Sequence, residues 1–283
     1  MERLSGRVAV VTGGANGIGL GLARRFLSEG MKVVIADVNA ADLDRATAEL
    51  ASQGEVIGHA TDVADPASMQ ALADAALARF GAVHVLCNNA GVGGFQRFGA
   101  TNLDTWNWIL GVDLWGPILG CRTFLPILSA QEEAHIVNTA SIAGFSYSPY
   151  NAPYNVAKAG VVALSEGLYR ELAVEKPHVG VSVLCPGFTD TRIGDDERNA
   201  PAGHARRGAT DPDLEPFRKT LVDGMAAGQS PDEVAEHVVR AIRTRAMHIF
   251  PQPEWMELIR DRTQNILAGR PVGQPVEAGV FHD

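Results

Sequence analysis

Three side chains in the segment TASIAGFSYSPYNAPYNVAK, residues 139–158, have the types and spacing for proton transfer at a substrate oxygen. Tyr154 stands thirteen residues after Ser141 and four before Lys158. On a helix opening at Pro153, Tyr154 and Lys158 share a face one turn apart. A free phenol has a pKa of about 10 and is a poor base near neutrality, whereas a neighbouring ammonium favours the phenolate. Lys158 would do this to Tyr154, and the Ser141 hydroxyl would orient a carbonyl or alcohol oxygen for proton exchange with the phenol. Tyr-x-x-x-Lys is also ordinary helix grammar, most often a surface pair. The elements that place it must therefore decide its meaning.

The run RVAVVT, residues 7–12, is short, apolar and β-branched, as in a strand buried on both faces. Thr12, Gly13, Gly14, Ala15, Asn16, Gly17, Ile18 and Gly19 follow it and lead into a helix with Leu20, Ala23, Phe26 and Leu27 at helical spacing. Backbone N–H groups at such a helix start form an anion site, and glycine lets a pyrophosphate approach closely. A second strand, KVVIAD at 32–37, ends in Asp37, where a dinucleotide-binding unit places an acid for the ribose hydroxyls. That carboxylate would repel a 2′-phosphate, and no arginine or lysine occurs at Val38, Asn39 or in the glycine turn, so NAD is expected over NADP. Asp37 could instead cap the helix over 40–52, a task Asn39 would serve equally well.

Residues 55–60 read as a third strand, followed by Thr61, Asp62 and Val63, with Asp62 placed to approach an adenine. A helix with Pro66 in its first turn runs to Phe80. Residues 83–87 form a fourth strand, and Asn88-Asn89-Ala90-Gly91 a polar turn at its carboxyl end, the edge where open α/β sheets bind ligands. The two asparagines also suit plain loop formation. One long helix is expected over 104–129, then a fifth strand in HIVNTAS with Ser141 just beyond its end. A helix over 153–173 and a sixth strand and turn over 179–187 follow, with Pro186 and Gly187 at the turn. Residues 189–229 turn charged and rich in glycine and proline, with few apolar anchors, and read as a lid or a poorly ordered segment. Ser230-Pro231-Asp232-Glu233 is a capping box for a helix to Thr244. A seventh strand over 247–250, a helix over 254–268 and a tail over 269–283 close the chain. Strands alternating with helices imply an α/β fold, a doubly wound parallel sheet of the Rossmann type with about seven strands and helices on both faces. No repeat or linker divides residues 1–283, which are read as one domain.

A chain of 283 residues with 46% hydrophobic content can bury a substantial core. A formal charge of −9 gives no basic footprint for nucleic acid or an anionic membrane. Cys87, Cys121 and Cys185 have no regular spacing and imply no disulfide framework. The eight histidines lack zinc-site spacing, so no metal is expected. With no signal-peptide stretch at the N-terminus and no run of 18 apolar residues, a cytoplasmic location is the expectation.

The glycine turn at 12–19, Asp62-Val63, the NNAG turn at 88–91, Ser141, Tyr154, Lys158 and Pro186-Gly187 occur together and in this order. In these motifs the chain resembles the classical short-chain dehydrogenase/reductase family over about residues 5–250. The resemblance implies that Ser141 positions the substrate oxygen, that Tyr154 is the acid/base, and that Lys158 binds the nicotinamide ribose while lowering the Tyr154 pKa. It implies that Thr189 and Thr191 hold the carboxamide and that Asn89 supports the cofactor-binding core. The NAD site so implied comprises Thr12, Gly13, Asn16, Gly17, Ile18, Gly19, Asp37, Asp62, Val63, Asn89, Ala90, Gly91, Tyr154, Lys158, Pro186, Gly187, Thr189 and Thr191. One position departs: Asp113 stands where the family commonly has an asparagine in a proton relay linking the lysine to solvent; if the relay water is held by the backbone carbonyl there, aspartate costs little, and if the side chain matters, its charge would perturb Lys158. A homo-oligomer, tetramer or dimer, is also implied, with the long fourth and fifth helices as contact surfaces.

Phe95, Phe145, Tyr147, Tyr150 and Phe188 cluster in sequence beside these motifs and suggest an apolar pocket for a bulky secondary alcohol or ketone, aromatic or steroid-like. Some of them would equally pack against the lid. Two other readings compete with an alcohol dehydrogenase or ketone reductase. A non-catalytic dinucleotide sensor would not need serine, tyrosine and lysine together. A halohydrin dehalogenase-type lyase has arginine in place of the lysine and lacks the glycine turn, so Lys158 and residues 13–19 count against it.

Overall fold

The computed structural model describes residues 1–195, 199–200 and 211–272. Alternation of side chains along each strand builds the core. In β1 (Val8–Thr12), Ala9 and Val11 face one side of the sheet and Val10 the other. The same division recurs in β2 (Lys32–Asp37), where Val33 and Ile35 oppose Val34 and Ala36. It recurs again in β4 (Val85–Asn88), where Val85 and Cys87 oppose Leu86. Such strands need a helical layer on each face. On one side lie α1 (Gly17–Ser28) and α8 (Pro231–Thr244), packed through Leu22, Phe26, Val234 and Val238. On the other lie α3 (Pro66–Phe80) and α5 (Gly116–Ser129), through Met69, Leu72, Phe124 and Leu128. Full burial of one such side chain stabilises by about 1.5–3 kcal/mol.

With β3 (Val56–Ala60), β5 (Ala134–Thr139), β6 (Val179–Leu184) and β7 (His248–Ile249), the seven-stranded sheet has the order β3-β2-β1-β4-β5-β6-β7. Every pairing is parallel. The order reverses between β1 and β4, which opens a crevice at their carboxyl ends. That crevice receives the glycine turn after β1 and the asparagine turn after β4.

Caps set the helix starts. Asn39, not Asp37, caps α2 (Ala40–Leu50): its side chain accepts the Asp42 N–H. Asp65 accepts from Ala67 and Ser68 ahead of α3, and the capping box of Ser230 and Glu233 forms ahead of α8. α6 spans Ala152–Glu175 and α9 Met256–Leu267.

Two expectations change. The single helix expected over 104–129 is α4 (Leu103–Leu110) and α5 joined by a π-helical turn, Gly111–Trp115, closed by the Gly116 N–H on the Gly111 carbonyl. Pro117 has no N–H for the carbonyl four residues back, that of Asp113, and its ring would clash there, so a regular α-turn is denied at this point. The second change lies in the lid segment, where α7 (Glu215–Ala226) forms and buries Phe217 against Phe95, their ring centroids 4.8 Å apart. The sequence signal was the spacing of Phe217, Leu221 and Met225 behind Pro216. The remaining lid expectations at 196–198 and 201–210, and the tail from 273 onward, lie outside the described residues. Among the described residues, no helix is long and apolar enough to cross a membrane, and no acid, histidine or cysteine cluster could hold a metal.

Candidate active site

Ser141 leaves β5 with an extended backbone, and its hydroxyl oxygen accepts the Ala143 N–H at 3.1 Å, opening the tight turn Ile142–Gly144. That turn packs closely on α6: a Cβ on Gly144 would lie 2.9 Å from the Lys158 carbonyl oxygen. Serine is thereby brought to the first turns of α6, where Tyr154 is half-buried and Lys158 buried. The Lys158 ammonium donates to the Thr139 carbonyl at 3.2 Å and lies 5.3 Å from the Tyr154 ring centroid. The Ser141 hydroxyl is near enough to favour the Tyr154 phenolate.

A fourth group joins them. Asp113, carried inward by the π-turn and fully buried, places Oδ2 3.3 Å from Lys158 Nζ, while its Oδ1 accepts the Val92 N–H at 2.8 Å. Burial is the largest influence on all three ionisable groups. It raises the Asp113 carboxyl, against the pull of Lys158 and the Val92 N–H. It disfavours the Lys158 ammonium, but Asp113 and Tyr154 together override it and leave lysine above its ordinary value. It raises the Tyr154 phenol, with Lys158 opposing and Asp113 reinforcing, so the net direction is upward. Lys158 acts on Tyr154 with the expected sign and is outweighed.

From this cluster a single cavity of about 2450 Å³ extends to the glycine turn. Its walls include Gly13, Asn16, Gly17, Ile18, Asp37, Asp62, Val63, Asn89, Ala90 and Gly91 at one end, and Ser141, Tyr154, Lys158, Pro186, Gly187, Thr189 and Thr191 at the other. Thr12, Gly19 and Asp113 stand behind the wall and hold it in place. Thr12 Oγ1 accepts the N–H groups of Asn89 and Ala90, at 2.9 and 3.1 Å, and Asn89 Nδ2 donates back to the Thr12 carbonyl at 3.0 Å. Asn89 is therefore a clasp between the turns after β1 and β4. Gly13 and Gly17 have φ of 62° and 50°, in the left-handed region, and a Cβ on Gly19 would fall 2.1 Å from the Gly13 carbonyl oxygen. Asp37 accepts from Ala15 and Asn39 at the rim, and Asp62 accepts from Ala64.

The residues present fit a dinucleotide. The glycine turn leaves a cradle that side chains would fill, the positive end of α1 points into it, and the Asp37 carboxylate lines the same cavity. Thr189 Oγ1, at the far end, is buried without a hydrogen-bond partner. One cation near the glycine turn escaped the sequence reading. Arg45, from α2, donates to Asn16 Oδ1 at 3.2 Å while ion-paired with Asp42, which itself accepts from Asn16 Nδ2 at 3.0 Å. Only its position on the helix face toward Asn16 could have revealed it.

Beyond Ser141 and Tyr154 the cavity becomes aromatic. Phe95, Tyr147 and Phe188 line it. Phe145 and Tyr150 do not. Phe145 packs on Phe250 and His248, with centroids at 5.8 and 6.3 Å, filling the space between the β5–α6 connection and β7. Tyr150, with φ of 60°, turns its ring onto Phe217 at 5.5 Å, under the Arg97 guanidinium, and anchors α7. Trp108, Trp255 and Leu258 join the wall instead. Trp108 reads in sequence as one more apolar helix position. Trp255 gives no spacing signal, because its place depends on how the chain returns after β7; there it meets Phe188 edge-on at 5.1 Å.

A family model described as short chain dehydrogenase matches residues 7–202. A C alpha-dehydrogenase of a Sphingobium species is 35% identical over 270 residues, covering 94% of this chain and 87% of the relative. A D-threitol dehydrogenase of Mycolicibacterium smegmatis is 33% identical, covering 84% of this chain and 86% of the relative. The crystal structure of a short chain dehydrogenase/reductase from Burkholderia phymatum in complex with NAD matches with a TM-score of 0.93 and 39% identity, covering 98% of this chain and 100% of that one.

Proposed function

The chain belongs to the short-chain dehydrogenase family, and from that premise we propose that it is an NAD-dependent oxidoreductase acting on a bulky, hydrophobic secondary alcohol or the corresponding ketone. One observation carries this reading: Ser141, Tyr154 and Lys158 meet in the same cavity whose other end is the glycine cradle and Asp37. NAD bound there would supply the hydride acceptor for oxidation and its reduced form the donor for reduction.

The chain's own residues then manage the oxygen. In oxidation the substrate hydroxyl docks between Ser141 and Tyr154; Ser141 holds it, and Tyr154, as phenolate, takes its proton. In reduction the phenol gives that proton to the carbonyl oxygen. Lys158 faces the cofactor side of the cavity and serves the ribose, with Thr189 and Thr191 on the carboxamide. A carboxylate at Asp37 favours free ribose hydroxyls over a 2′-phosphate. Phe95, Trp108, Tyr147, Phe188, Trp255 and Leu258 offer an apolar wall to an aryl or polycyclic substituent and exclude water from the reacting oxygen.

The test is reduction of NAD and of NADP across a panel of aryl and aliphatic secondary alcohols, for the wild type and Tyr154→Phe. The expected result is NAD-dependent turnover, strongest with bulky apolar alcohols and lowered about 10²- to 10⁴-fold by the substitution. Unchanged turnover in the variant would end the proposed role of Tyr154, and a clear NADP preference the proposed role of Asp37.

A further inference from the structure

We propose that Asp113 is a positioning residue which clamps Lys158 in a buried ion pair and offsets part of that lysine's field at Tyr154, tuning the enzyme's proton transfer to alkaline pH. The proposal rests on the reading of Tyr154 as the acid/base.

The geometry carries it. Lys158 Nζ has two fixed partners, the Thr139 carbonyl at 3.2 Å and the Asp113 carboxylate at 3.3 Å, both closer than the Tyr154 ring centroid at 5.3 Å. Asp113 is itself held: it is fully buried, Oδ1 is bound by the Val92 N–H, and the π-turn fixes its backbone. Neither charge can swing into water. At the phenol, Asp113 offsets part of the lysine's pull and adds to the effect of burial, which is the largest influence there.

Among the described residues, no other charge restores the imbalance. Lys158 is faced by Asp113 from the π-turn, by Tyr154 on its own helix and by Cys185 at the end of β6. Burial pushes the Cys185 thiol up, so it stays neutral, and Glu166 acts on that thiol rather than on the phenol. Tyr154 feels Lys158, Asp113 and the Ser141 hydroxyl. Asp113 is thus the fixed negative charge of the cluster. Removing it lowers the pKa of whichever group, phenol or ammonium, gives up the first proton, so the sign of the effect does not depend on how the pair shares that proton.

The experiment compares wild type with Asp113→Asn, in which the amide oxygen can still accept from Val92. The kcat/KM profile for alcohol oxidation at saturating NAD is expected to move to lower pH, raising the fraction of maximal rate at neutral pH by about threefold or more. An unchanged profile overturns the proposal. A second measurement needs no turnover: the Tyr154 ring-carbon resonance of the cofactor-free protein, assigned with Tyr154→Phe, is followed against pH in wild type and in Asp113→Asn. Ionisation at a lower pH in the variant supports the clamp, and ionisation at the same pH in both overturns the clamp. If Tyr154→Phe keeps full turnover, the acid/base reading itself has failed; loss of turnover with an unmoved Asp113→Asn profile condemns the clamp alone.

Discussion

The Arg262 guanidinium of α9 lies 4.8 Å from the Tyr147 ring centroid, joining the helix after β7 to the loop between β5 and α6. None of the residues of α9 is buried, so the helix is held by few contacts, this one and the Trp255–Phe188 pair just before it among them. Tyr147 and Leu258 both line the cavity. The contact therefore shapes the mouth without touching the proton-transfer cluster. Arg262→Ala should raise KM for a bulky alcohol by about two- to fivefold, in line with a partly exposed cation–π contact, while kcat changes less. Steady-state kinetics with the preferred alcohol check it, and an unchanged KM would remove α9 from the proposed pocket.

Cofactor choice gives a second expectation. On the proposed reading Asp37 at the rim would oppose a 2′-phosphate, and Asp42 would reinforce this indirectly by pairing with Arg45, which donates to Asn16 in the glycine turn. Asp42→Asn leaves Arg45 beside Asn16 with its charge uncompensated. The NADP-to-NAD ratio of kcat/KM should rise about two- to fivefold, the scale of an exposed ion pair, and the gain should shrink at high salt. A ratio that does not move would mean that Arg45 does not face the adenosine ribose.

A third expectation concerns acid stability. Burial, with lesser contributions from the chain's N-terminal charge and Arg245, pushes His135 down to about 3, and its Nε2 is 2.8 Å from the Ser182 hydroxyl. Ser182 donates to the Ala246 carbonyl, so His135 is the donor to Ser182, and the ring is neutral. A Cβ on Gly180 would sit 2.4 Å from the ring, so the imidazole has no room to move. Because the unfolded chain binds its proton near the ordinary 6.5 and the native one only near 3, stability is full above about 6.5 and is lost as pH falls toward 3. His135→Gln, which can still donate to Ser182, should flatten that acid limb. Tm of both proteins at neutral pH and in mild acid is the measurement, and equal losses would contradict it.

Local pattern carried the reading of most elements. The buried run RVAVVT, the glycine turn and the capping box at Ser230 each have a cause that lies within a few residues, and each stands where expected. What escaped depends on tertiary return. Trp255 reaches the cavity only because the chain doubles back after β7, and Phe145 leaves it because Phe250 arrives to cover it. Tyr150 lies between two pocket-lining neighbours, Pro149 and Asn151, and its positive φ turns it away. The π-turn was legible in principle, since Pro117 stands four residues after Asp113, but the apolar periodicity on either side hid the break.

The last prediction uses Thr189, whose hydroxyl oxygen is buried with no partner while the residue itself is tied to Gln229 by a parallel bridge. An unsatisfied buried hydroxyl costs stability, and its best compensation is a ligand that completes it. Thr189→Val keeps the shape and removes the oxygen. Two effects of opposite sign should follow. Without cofactor the variant should unfold at the same temperature as wild type or somewhat higher, because a desolvated polar atom has been lost. Its NAD affinity should fall about two- to tenfold, the scale of one neutral hydrogen bond. Thermal unfolding of the cofactor-free proteins and an NAD titration by fluorescence separate the two effects. A variant that loses stability without cofactor yet binds NAD as well as wild type would show that the hydroxyl serves the fold and not the nicotinamide end of the site.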